Sequence, residues 1–85
     1  DEISVGTLTA SLVHPRETFE SAIRRHAASI IIAHNHPSCE TDPSEDDLKI
    51  TKRLVEAGKI MGIEVLDHII FTTKSYLSFK DKNLL

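Results

Sequence analysis

The chain has 85 residues, 40% of them hydrophobic and 27% charged, with a formal net charge of −3 and a pI near 5.9. This is one small domain of ordinary globular composition, whose core is only marginally stabilising unless something such as a bound metal adds to it. No stretch approaches the roughly 20 apolar residues of a membrane span, no signal-peptide pattern opens the chain, and the pI falls far short of the value above about 9 expected of a nucleic-acid binder.

Taken in chain order, residues 4–14 alternate weakly around Gly6 and read as a strand or half of a hairpin. Pro15 sits near the start of a helix predicted over residues 15–28, with Phe19, Ile23 and Ala27 at four-residue steps as its buried stripe. His14 before the proline and His26 beside Arg24 and Arg25 read as surface or capping residues. Glu17 and Glu20 lie in the same stretch, where acids near the first turn favour the helix dipole. Ser29-Ile30-Ile31-Ile32-Ala33 is short, apolar and β-branched, as a buried strand requires. A second helix is predicted over residues 44–61, with Ile50, Leu54, Ala57 and Met61 on one face and Gly62 near its end. Residues 63–71 form the next strand, and residues 74–79 read as one more. The order β-α-β-α-β-(β) predicts an α/β fold, a mixed sheet flanked by helices, with its site at the C-terminal end of a strand.

The chemistry gathers where the apolar strand ends, at His34-Asn35-His36. In an extended chain residues i and i+2 project to the same side, so two imidazoles 6–7 Å apart can converge on one ion with N–Zn bonds of about 2.0–2.1 Å. Ser44 and Asp47 follow a loop that begins at Pro37, and both fall on the first turn of the second helix, where Asp47 can supply a third ligand. Three protein ligands leave an open position, which is the arrangement of catalytic rather than structural zinc. Ser44-x-x-Asp47 is also close to a capping box, a reading that accounts for those two residues but not for the histidine pair.

His34-x-His36-x7-Ser44-x2-Asp47 resembles the signature of the JAMM (MPN+) metalloproteases. The words His14-Pro15-Arg16-Glu17, Ala33-His34-Asn35-His36-Pro37-Ser38, Leu66-Asp67-His68-Ile69-Ile70 and Tyr76-Leu77-Ser78-Phe79 narrow the resemblance to the RadC family, from about Gly6 to Leu84. The resemblance implies a JAB/MPN domain over residues 1–85, with a cytidine-deaminase-like three-layer arrangement and its first strand or strands upstream. It implies one zinc ion per chain held by His34, His36 and Asp47, and a Ser44 that hydrogen-bonds the oxyanion or the metal-activated water. The reaction implied is hydrolysis of a peptide or isopeptide bond in a protein or peptide substrate. The alternative is a non-catalytic MPN-like module that binds zinc or a partner protein; an association with DNA repair rests on the family name alone.

JAMM enzymes take the water's proton on a glutamate that precedes the central strands. The RadC resemblance implies that this glutamate lies upstream of the present segment, on a strand ahead of the hairpin word Glu2-Ile3-Ser4-Val5-Gly6-Thr7. Glu2 fits that word rather than the catalytic position and is the weak fallback candidate for the base, against the plainer reading of a solvated acid on an edge strand. Cys39 stands where the RadC pattern usually reads glycine; its thiolate could close the open metal position, or it is a small passive side chain. Asp67 either orients a ligand imidazole or makes a local structural hydrogen bond, and His68 is a core residue or supports the ligands from behind. Arg24-Arg25 and the lysines of the second helix, interleaved with acids, form no nucleic-acid surface. The single cysteine excludes an internal disulfide, which fits a reducing cytoplasm, and an exposed sheet edge is expected to invite self-association.

Overall fold

The computed structural model describes residues 3–8, as backbone, and residues 15–85. Its elements are β1 (Ile3–Leu8), α1 (Pro15–Arg24), β2 (Ser29–Asn35), α2 (Glu45–Met61), β3 (Glu64–Phe71) and β4 (Tyr76–Ser78). The predicted α/β order is the one found. The rest of the first predicted strand, with His14, lies outside the described residues.

The sheet runs in the order β1-β2-β3-β4; β1, β2 and β3 are parallel, and β4 is antiparallel to β3. Successive right-handed crossovers that advance in one direction place their helices on the same face. Accordingly, Phe19 and Ala22 of α1 and Leu54 of α2 join one buried cluster with Ile30 and Ile32 of β2 and Val65 of β3. Among the described residues the other face of the sheet is less covered, with Ile31, Ala33 and Ile69 half-buried and Asn35 and Phe71 exposed.

Helix α1 is shorter than predicted. Ala27 N–H donates to the Ala22 carbonyl (2.9 Å) and His26 N–H to the Ile23 carbonyl (3.1 Å), with His26 in the left-handed region at φ 56°. This is a Schellman ending with histidine in the usual glycine place, so the capping role read for His26 is the one it has. The ending also corrects the predicted stripe. Phe19 and Ala22 are fully buried and Ala27 nearly so, while Ile23 is 53% exposed, because the core contact runs through i and i+3 and then leaves the helix.

On α2 the buried positions are Asp47, Thr51, Leu54 and Gly58, a stripe at four- and three-residue steps that starts with a carboxylate and a hydroxyl. Met61, predicted on the buried face, is 39% exposed: the buried stripe ends at Gly58, and Gly62 ends the helix at φ 73°. Gly58 is needed for a different reason: a Cβ there would stand 2.3 Å from the Ile63 carbonyl oxygen.

A β-bulge decides which β3 side chains reach the helices. Ile30 pairs with Val65 but Ile31 pairs with Asp67, so Leu66 is an extra residue. Beyond it Ile32 pairs with His68 and His34 with Ile70. Because side chains alternate, this one-residue insertion turns His68 and Ile70 onto the helix side, where both are fully buried, and sends Asp67 to the other face.

Candidate metal centre

The site forms where β2 runs out from under the helices. Ile30 and Ile32 are buried on the helix face, and two further steps of the same alternation place His34 and His36 there too. His36 N–H donates to the Phe71 carbonyl at 3.0 Å, which holds the chain extended through this residue. A turn follows, closed by Cys39 N–H on the His36 carbonyl at 3.3 Å, and the loop then reaches the start of α2.

Ser44 is the N-cap of α2. Its Oγ accepts from Asp47 N–H at 3.0 Å, and Asp47 Oδ2 accepts from Ser44 N–H at 2.9 Å, so the capping box is complete. The box fixes the rotamer of Asp47 and points its carboxylate at β2. Asp47 Oδ2 lies 3.1 Å from His36 Nε2, and Asp47 Oδ1 lies 3.4 Å from His34 Nδ1. The two imidazoles meet edge to face with centroids 4.7 Å apart. The candidate ligand atoms of His34, His36 and Asp47 all fall within 4.8 Å of one another, so the group could hold a metal ion.

Two features test the fit of a cation to this group. First, His36 Nδ1 lies 2.9 Å from the Glu40 carbonyl, an acceptor, so Nδ1 carries the proton. In the neutral ring Nε2 is then a bare lone pair facing a carboxylate oxygen, and only a cation or a second proton reconciles them. A ligand imidazole that donates its other nitrogen to a backbone carbonyl is the usual support of a metal-binding histidine. Second, His34 Nδ1 is buried with no hydrogen-bond partner. The two contacts run to different oxygens of the Asp47 carboxylate, and one ligand atom from each residue lies within 4.8 Å of the others, so two imidazoles and a carboxylate are gathered about one point. The donor set fits zinc.

Electrostatics favour the ligating forms. Burial lowers the pKa of His34, with Asp47 pulling the other way and His36 adding to the drop. Asp47 is held below the ordinary carboxylate range: burial pushes it up, but the Ser44 hydrogen bonds and the two imidazoles outweigh that. A neutral imidazole and an ionised carboxylate are what a metal requires of these residues.

The structure thus brings His34, His36 and Asp47 together, with Ser44 beside them. Cys39 is exposed, with its thiol 4.0 Å from the Pro37 carbonyl, and is not in the group. It adopts φ 65°, which accounts physically for a preference for glycine at this place. Asp67 makes the local structural bonds: its oxygens accept from the backbone N–H of His68 (2.7 Å) and Lys80 (3.0 Å) and from the Ser78 hydroxyl (2.5 Å). These tie β3 to β4 rather than orient a ligand ring. His68 is fully buried, stacked on Phe79 at 4.3 Å, with its ring centroid 5.9 Å from that of His34. Glu2 lies outside the described residues.

Sequence reasoning missed Thr51, whose hydroxyl bridges the Asp47 carbonyl (2.7 Å) and His68 Nδ1 (2.5 Å). Its place one turn after Asp47 was the available signal.

The family model of the RadC-like JAB domain matches residues 1–84. A UPF0758 protein of Moorella thermoacetica is 58% identical over 85 residues, covering 100% of this chain and 37% of that protein. UPF0758 protein STH371 of Symbiobacterium thermophilum is 58% identical over 83 residues, covering 98% and 36%. A third, from Clostridioides difficile, is 52% identical over 84 residues, covering 99% and 36%. The chain therefore spans a little over a third of the length of the curated relatives it matches. With the capped carboxylate, the paired strand-end histidines and a match along almost the whole chain, this protein belongs to the RadC-like JAB domain family.

Proposed function

We propose that this domain is a zinc-dependent hydrolase of the JAMM type that cleaves peptide or isopeptide bonds in a protein or peptide substrate, in the cytoplasm. The observation that carries the reading is the facing pair of His36 Nε2 and the Asp47 carboxylate, 3.1 Å apart, with Nδ1 of the same ring committed to the Glu40 carbonyl. His34, His36 and Asp47 would hold the ion. Bound zinc supplies Lewis acidity and lowers the pKa of a water toward about 7.

The chain's own residues do the rest. Ser44 Oγ accepts from Asp47 N–H, which leaves its hydroxyl proton free to donate to an oxygen that gains negative charge. The capping box and the oxyanion role are therefore compatible. Among the described residues no other acid joins the three ligands, and Glu2 is only a weak fallback as the proton acceptor. That same feature supports the second reading, a zinc-binding interaction module without hydrolysis.

Cleavage of a quenched-fluorescence peptide library and of isopeptide-linked protein conjugates tests the proposal, using a protein of the relatives' full length. Zinc-dependent cleavage abolished by His36→Ala supports hydrolysis. Stoichiometric zinc without cleavage of any substrate contradicts it and favours the module.

A further inference from the structure

We propose that Thr51 and His68 are positioning residues that set where the Asp47 carboxylate stands, by hydrogen-bonding the first turns of α2 to β3; the inference rests on the zinc-binding reading above. The Thr51 hydroxyl has one proton and two close partners. Asp47 O can only accept, so the hydroxyl donates to it at 2.7 Å and must accept from His68 Nδ1–H at 2.5 Å. Both contacts are then satisfied only when His68 is the Nδ1–H tautomer. This leaves Nε2 an unprotonated acceptor, and that atom is buried without a partner.

Three independent features converge on this arrangement. Thr51 is 1% exposed and His68 is fully buried, so the bridge is shielded from competing water. The Leu66 bulge is what turns His68 toward the helix; an unbulged β3 would point it to the opposite face. Stacking on Phe79, with the rings 18° apart, fixes the plane of the imidazole. The bridge ends on the carbonyl of Asp47 itself, whose side chain meets both histidines of β2. The β3 strand thus reaches the third ligand through its main chain, while the capping box reaches it through its side chain.

Thr51→Val keeps the shape and removes both hydrogen bonds, and Thr51→Ser keeps them. Zinc affinity is measured by chelator competition well below the unfolding temperature, alongside the ring ¹⁵N shifts of His68 in the metal-free protein. The expected result is a loss of about 10–100-fold in zinc affinity for Thr51→Val, near wild-type affinity for Thr51→Ser, and a single Nδ1–H tautomer in wild type that becomes mixed in Thr51→Val. Wild-type affinity in Thr51→Val overturns this inference and leaves the metal site standing. A wild-type protein that binds no zinc overturns the functional reading and this one together. If Thr51→Val does not fold, Thr51→Ala is judged by the same affinity criterion.

Discussion

At His36 one ring nitrogen is spent on the Glu40 carbonyl and the other faces the Asp47 carboxylate, so the residue is specified by what its two partners cannot donate. The histidine pair was legible in the sequence because strand periodicity is two and the run before it is apolar. A buried place for His68 and a local structural bond for Asp67 were legible too; which face each side chain takes was not, because that depends on an extra residue that alternation alone cannot reveal. Cys39 gives a prediction at this scale. A non-glycine residue in the left-handed region costs about 1–2 kcal/mol, partly offset by the greater freedom of glycine in the unfolded chain, about 0.4–1 kcal/mol. Cys39→Gly should therefore raise stability by up to about 1 kcal/mol in denaturant titration and leave metal content unchanged. Lost metal would place the thiol among the ligands.

Helix α2 carries both the third ligand and the cap that aims it. Its start and stop were legible from Ser44, Asp47 and Gly62, and its buried face only in part, since the stripe opens with polar residues that hydrophobic periodicity passes over. Loss of the cap in Ser44→Ala should cost about 1 kcal/mol by thermal unfolding. Ser44→Asp preserves a capping acceptor but has no proton to donate, so stability should be kept while proposed cleavage falls by about 10²–10³-fold. Equal cleavage by both proteins would remove the oxyanion role and leave the cap. At the other end of the helix, the Cβ in Gly58→Ala would meet a backbone oxygen that cannot swing aside, so destabilisation of about 1–3 kcal/mol is expected from denaturant midpoints.

For the molecule as a whole, acid should loosen the metal-free fold. Burial, followed by repulsion from His34, holds the pKa of His68 down from 6.5 to about 4. Between these values the unfolded chain binds a proton that the native state does not, so the stability contribution is intact above pH 6.5 and falls as pH drops toward 4, by at most about 3 kcal/mol. The lowered pKa values of His34 and Asp47 act in the same direction, Asp47 at the more acidic end. Denaturant titrations from pH 7.5 to 4 check this, and a flat profile would mean that His68 is not buried as a neutral ring. The global α/β order was legible from alternating strand and helix periods, and no helix of the described residues is long and apolar enough to cross a membrane. The proposed chemistry depends on a metal held by His34, His36 and Asp47. Metal content by plasma mass spectrometry, on protein made without a polyhistidine tag, tests it most directly: close to one zinc per chain is expected, lost in both His36→Ala and Asp47→Ala. No zinc after reconstitution, or zinc retained in both variants, would contradict it.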